Sequence, residues 1–160
     1  NLRAYAYTPD DIDRALEDVA AVIRDRLPPS GLTQEELLAR PSWAGPHQFV
    51  LIDDEHELRA GGVVGKQAAT APLWNLIERG REVGLHVIAA RLPGNWAGVS
   101  AMSPFLQKLS GSRAPTLFMD NDPQVVKVFG RTSAQQLPPG RGLLVSTDGV
   151  MEGVLVGTPE

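Results

Sequence analysis

The residues with the clearest capacity for chemistry are two adjacent acids, Asp53 and Asp54, which close the apolar run Phe49-Val50-Leu51-Ile52. Such a near-continuous run suits a buried strand of a parallel sheet. Ligands gather outside the carboxyl edge of that kind of sheet. Acids placed there match the arrangement in which one carboxylate holds the Mg²⁺ of a nucleotide and a second polarises the attacking water. Asp53 is the candidate metal ligand, and Asp53 and Asp54 together are the candidate catalytic acids. The same pattern has a plainer origin, because a buried strand often ends in Asp simply to start a turn.

A nucleotide site also needs a phosphate-cradling loop, G-x-x-x-x-G-K-[ST]. The 160 residues contain none. The stretch Ala60-Gly61-Gly62-Val63-Val64-Gly65-Lys66-Gln67 has Ala60 at the first Gly position and Gln67 at the hydroxyl position. It also follows the acidic strand instead of preceding it, so it reads as a loop. Two arginines at element ends are candidate nucleotide-binding or sensor residues. Arg91 follows an apolar strand and Arg113 precedes another, and a permanently charged fork at a sheet's carboxyl edge can read a phosphate. Both residues also suit a solvated or interface position.

Other chemistries find little support. There is no Cys, which excludes disulfides, thiolate metal sites and cysteine nucleophiles. Asp53-Asp54-Glu55-His56-Glu57 lacks the His-Glu-x-x-His spacing of a zinc helix, and His47 and His86 stand apart in sequence as structural residues. Ser100 lies in Gly98-Val99-Ser100-Ala101-Met102, which lacks the second Gly of a nucleophile elbow.

The elements that must position these residues follow from periodicity and caps. Leu2–Tyr7 alternates like a short strand. Thr8 caps a helix with Pro9 in its first turn, whose stripe Ile12, Leu16, Val19, Ala20 and Ile23 runs to Leu27 before Pro28-Pro29. Thr33 and Glu36 have capping-box spacing for a short helix before Pro41. After the strand Gln48–Ile52 come a loop over 59–70, a helix over Pro72–Val83 with Gly84 as its C-terminal cap, and a second buried strand, Leu85–Ala90. Residues 93–100 form a loop and Pro104–Leu109 a short helix. Ala114–Met119 is a third strand, and Asp122–Phe129 one or two helical turns. The turn Pro138–Gly142 leads into Leu143–Ser146, which Gly149 joins to Met151–Val156 as a hairpin. Strands that alternate with helices and close on a hairpin specify an α/β fold, mostly parallel with an antiparallel edge.

Composition agrees with a globular domain: 42% of residues are apolar and 21% charged, with a formal net charge of −4. Residues 1–60 carry 12 acids and 6 bases, as expected of a solvated acidic helix. That balance weighs against a DNA-translocating motor, which needs bases to neutralise phosphates. No apolar run approaches the roughly 18 residues of a membrane span. The chain opens without Met or a signal peptide, so a fragment of a longer protein is expected.

The order of these pieces carries a resemblance. The acidic strand end leads to Arg81-Glu82-Val83-Gly84-Leu85-His86, then Val87-Ile88-Ala89-Ala90-Arg91, and later Leu137-Pro138-Pro139-Gly140-Arg141-Gly142. Arg26-Leu27-Pro28-Pro29 and Trp43-Ala44-Gly45-Pro46 precede them. Over residues 2–157 the chain resembles the later two-thirds of a C-terminal ATPase domain of the EccC type, the motor of mycobacterial type VII (ESX) secretion within the FtsK/SpoIIIE group of P-loop ATPases. The resemblance implies a RecA/FtsK-like P-loop NTPase fold over 1–160 whose N-terminal part, with the phosphate loop, lies outside the chain. It implies ATP and Mg²⁺ as cofactors of the complete domain, with Asp53 and Asp54 at the acid positions where active members of the group usually show Asp-Glu. Arg91 falls where DNA translocases carry a polar pair, and Ser112-Arg113 resembles a Ser-Arg that opens a strand in them. Residues 1–160 alone are expected to bind ATP weakly or not at all.

The resemblance further implies a membrane-anchored assembly on the cytoplasmic face, with tandem ATPase domains, hexamers, and exported helical-hairpin proteins recognised by their C-terminal signal. No nucleic-acid partner is expected. Trp96, in Pro93-Gly94-Asn95-Trp96-Ala97-Gly98, either caps the core from a loop or lines an apolar groove for that signal helix. Two alternatives stand beside a working motor. One is a catalytically silent docking module on the same fold. The other is a DNA translocase motor domain.

Overall fold

The computed structural model describes residues 2–58, 68–92, 103–119 and 136–157, together with the backbone of 127–128 and 132–133. The chain divides into two compact units, Asn1–Arg91 and Leu92–Glu160.

The first unit opens on an extended segment. Leu2–Tyr7 has the alternation of a strand, but no partner strand pairs with it among the described residues, and Leu2, Tyr5 and Tyr7 stay exposed. Helix α1 (Pro9–Arg26) starts where the cap signals put it. The Thr8 hydroxyl accepts from the Asp11 N–H, Pro9 occupies the first turn, and Asp10 and Asp11 face the positive end of the helix. Its buried stripe Leu16, Ala20 and Ile23 packs against the 3₁₀ turn Ala71–Leu73. Helix α2 (Gln34–Leu38) carries the complete Thr33–Glu36 capping box.

Strand β1 (Gln48–Ile52) pairs in parallel with β2 (Leu85–Ala89), in register from Gln48 opposite Leu85 to Ile52 opposite Ala89. Instead of being buried on both faces, β1 alternates. Val50 and Ile52 join the core, while Phe49 and Leu51 are 61% and 74% exposed, because a period-2 strand turns successive side chains to opposite faces and, among the described residues, only one face is covered. The segment expected as one helix over 72–83 is three short pieces: the Ala71–Leu73 turn, α3 (Ile77–Gly80), and a second 3₁₀ turn, Arg81–Val83. The reversal into β2 falls on Gly84 at φ 85°, where a Cβ would come within 2.8 Å of the Trp43 ring. Leu73, Leu76, Ile77, Val83 and Leu85 complete the core of this unit.

In the second unit, α4 (Pro104–Gly111) is capped by the Ser103 hydroxyl, which accepts from the Leu106 N–H. Strand β3 (Thr116–Phe118) runs antiparallel to β6 (Arg141–Val145), and β6 runs antiparallel to β7 (Met151–Leu155). The expected hairpin β6–β7 thus takes β3 as a third strand. The strands close tightly at Gly142, where a Cβ would sit 2.8 Å from the Leu117 side chain. The short pair β4 (Lys127–Val128) and β5 (Thr132–Ser133) is antiparallel. Lys127 and Val128 are therefore strand where helix was expected over 122–129; the remainder of that stretch lies outside the described residues. Phe105, Leu106, Phe118 and Val145 are the buried apolar side chains among the described residues of this unit.

Candidate functional site

The carboxyl end of the β1–β2 pair positions the acids. The parallel ladder continues one step beyond the strands: Ala90 N–H donates to the Ile52 carbonyl at 2.8 Å, and Glu55 N–H donates to the Ala90 carbonyl at 2.9 Å. Between these anchors the chain makes a sharp bend. Asp54 sits in the left-handed region at φ 49°, ψ 48°, a conformation that non-glycine residues adopt at some cost. The Asp53 carboxylate accepts from the Asp54 N–H at 3.0 Å. Both side chains are solvent-exposed at the strand end.

The third acid behaves differently. Glu55 is buried, and its carboxylate accepts from the Arg91 guanidinium at 2.8 Å, with both side chains about nine-tenths buried. Arg91, singled out in the sequence for its place after β2, is thus brought to Glu55. His56 follows in the 3₁₀ turn Glu55–Glu57, with Nε2 3.5 Å from the Glu57 carboxylate and Nδ1 4.0 Å from that of Asp54. Its Nδ1 is buried without a hydrogen-bond partner.

Glu55 escaped sequence reading because it stood among four acids within five residues. The available signal was relational: in a parallel pair the residue just past one strand meets the residue just past its neighbour, and Arg91 holds that place after β2. A second pairing was equally hidden. His47, just before β1, and His86, in β2, are 2.7 Å apart between Nδ1 and Nε2, one ring donating and the other accepting. Their rings lie within 16° of parallel with centroids 5.0 Å apart. Phe49 stacks on His86 at 4.7 Å.

Arg113 belongs to the second unit, exposed at φ 52°, with its N–H donating to the Ser110 carbonyl at 3.0 Å. Trp96 and the loop 93–100 lie outside the described residues, as does the glycine-bearing stretch 60–67. Among the described residues no group of three or more His, Asp or Glu side chains is placed to hold a metal. Asp53 and Asp54 offer two exposed carboxylates, which suits Mg²⁺: it is commonly held through one or two carboxylates, with phosphates and water completing its shell. No helix among the described residues is long and apolar enough to cross a membrane.

No protein-family model matches the chain. Over 144 residues it is 38% identical to the ESX-5 secretion system protein EccC5 of Mycobacterium marinum, an alignment covering 90% of this chain and 10% of that protein. A solved structure described as an ATPase matches with TM-score 0.74 and 35% identity, over 96% of this chain and 55% of the other. The structure of Thermomonospora curvata EccC (ATPases 2 and 3) in complex with a signal sequence peptide matches with TM-score 0.79 and 28% identity, over 98% of this chain and 27% of that one. The chain therefore spans about a tenth of the length of the EccC5 relative. In sequence and in fold, the chain belongs to the EccC family of ESX secretion proteins, of which it represents a segment.

Proposed function

We infer that this chain is part of a motor ATPase domain of type VII secretion, and that its acidic strand end serves a magnesium-bound nucleotide. The observation that carries the reading is the placement of Asp53 and Asp54, exposed, at the carboxyl end of a parallel strand pair. When bound, Mg²⁺–ATP would supply the phosphoryl group and the charge that its transfer develops. Asp53 would hold the metal, directly or through its water. Asp54, the next acid on the bend, would orient the attacking water. Its side chain is one methylene shorter than the Glu usual in active relatives of the wider group, which favours slow turnover. The 160 residues contain no phosphate loop, so the main grip on the phosphates comes from outside this sequence. Arg91 and Arg113 remain proposed nucleotide-facing residues, Arg91 while its Nη1 holds Glu55.

The second part of the proposal is recognition of the C-terminal signal of exported helical-hairpin proteins, with Trp96 as its aromatic anchor. A signal sequence peptide bound to the Thermomonospora curvata relative supports it. Work at the cytoplasmic face of the membrane, in hexamers and beside sister ATPase domains, completes the reading. A docking module without hydrolysis is the second reading, favoured by the pairing of Arg91 with Glu55.

Calorimetric titration of Mg²⁺–ATP into the full-length protein tests the nucleotide reading. Wild type binds, and Asp53→Asn weakens binding tenfold or more. Equal affinity in the two proteins would remove Asp53 from the site.

A further inference from the structure

Glu55 is a costly residue where it stands. Removing a carboxylate and a guanidinium from water is repaid only by close pairing, and apolar residues of similar volume often serve stability as well. Its two neighbours, Asp53 and Asp54, are exposed and need no such partner. What distinguishes Glu55 is its place after the bend. Asp54 holds a left-handed backbone, which Asp adopts more readily than most side-chain-bearing residues but still at a cost that surrounding contacts must offset. Upstream, the Ile52 carbonyl is fixed by Ala90 N–H; downstream, Glu55 is fixed twice, by its N–H to the Ala90 carbonyl and by its carboxylate to Arg91. The left-handed bend is therefore clamped at both ends by the two residues that follow β2.

We propose that Glu55 is a positioning residue, whose buried pair with Arg91 clamps the left-handed bend and thereby fixes the direction in which Asp53 and Asp54 are presented to the metal. This rests on the nucleotide reading above and deepens it. Arg91 acts in this role as an internal counter-ion, and Glu55 touches neither metal nor phosphate.

The test uses the full-length protein with two readouts: backbone hydrogen exchange over residues 52–58 without nucleotide, and affinity for Mn²⁺–ATP measured by electron paramagnetic resonance. Glu55→Gln keeps the shape and removes the charge. It should speed exchange over 52–58 about tenfold, leave α1 unchanged, and weaken Mn²⁺–ATP about tenfold. The reversed pair, Glu55→Arg with Arg91→Glu, should restore both. Unchanged exchange in Glu55→Gln overturns the clamp, and faster exchange with unchanged affinity reduces the pair to a structural one. Should Glu55→Gln not fold, the reversed pair decides: recovered affinity supports positioning, while recovered folding without affinity contradicts it. Wild-type protein that takes up no Mn²⁺–ATP would overturn the nucleotide reading and with it the positioning role, while the exchange readout would still show whether the pair clamps the bend.

Discussion

The guanidinium of Arg26 lies 4.6 Å from the centre of the Trp43 ring while donating to the carbonyls of Pro46 at 3.0 Å and Val83 at 3.2 Å. One side chain at the end of α1 thus ties together the entries to β1 and β2, the strands that carry the acids. A cation over an indole contributes about 0.5–1 kcal/mol at exposed sites, and hydrogen bonds to a charged donor about 1.5–3 kcal/mol each when well buried. Partial exposure lowers the sum. Arg26→Ala should cost about 1–3 kcal/mol in urea unfolding, and Arg26→Lys should recover less than half, because an ammonium cannot serve both carbonyls and the ring in one plane. A loss below about 0.5 kcal/mol, the range of an ordinary surface change, would show that the tie is incidental.

Gly84 separates two costs that usually come together. At φ 85° any L side chain is strained, and here a Cβ also meets the Trp43 ring at 2.8 Å. Gly149 has the same φ of 85° with nothing within 4 Å of its would-be Cβ. Gly149→Ala should therefore cost about 1–2 kcal/mol, the left-handed penalty alone. Gly84→Ala adds a steric term of about 1–3 kcal/mol. Equal melting shifts for the two variants would mean that Trp43 moves aside freely.

The capping box of α2 makes a pH prediction. Glu36 accepts from the Thr33 N–H at 2.7 Å and from the Thr33 hydroxyl at 2.8 Å, and the backbone bond followed by the hydroxyl bond holds its carboxyl below the usual 4.5. A depressed folded value means that the unfolded chain takes up the proton first as pH falls. The capping contribution is thus complete above about pH 4.5 and fades as pH drops through the lower folded value. Carbon-detected NMR should show Glu36 titrating below 4.5, and Thr33→Ala, which keeps the N–H and removes only the hydroxyl, should move it part of the way back. An unmoved Glu36 in that variant would remove the hydroxyl from the causes and leave the backbone bond alone.

Local signals were legible in the sequence and relational ones were not. Thr8-Pro9 and Thr33–Glu36 satisfy helix donors within four residues, so α1 and α2 could be placed without knowing the fold. The acidic end of β1 and its parallel neighbour followed from hydrophobic runs alone. The alternation of Leu2–Tyr7 misled because a strand needs a partner, and pairing is not encoded in one segment. The stretch 72–83 breaks first between Leu73 and Ile77, where no Pro or Gly marks the sequence, and again after Gly80. Glu55–Arg91 and His47–His86 lie 36 and 39 residues apart, and only the β1–β2 register joins them.

Because Asp53 and Asp54 are exposed and clear of the core, Asp53→Asn and Asp54→Asn should leave stability within about 0.5 kcal/mol of wild type. Their effect should fall on metal-dependent steps alone. Thermal melting beside Mg²⁺-dependent ATP turnover checks this, and a joint loss of stability and turnover would place these residues in the scaffold.

The most direct measurement of the central claim is paramagnetic broadening by Mn²⁺–ATP in full-length protein with labelled Asp residues. The chain offers the metal a competing acidic surface on α1, which carries Asp10, Asp11, Asp13, Asp18 and Asp25. Broadening of Asp53 and Asp54 at the first stoichiometric addition, before any aspartate of α1 responds, is the predicted result. Broadening that begins on α1, or spreads evenly over all aspartates, would contradict a nucleotide-metal site at the end of β1.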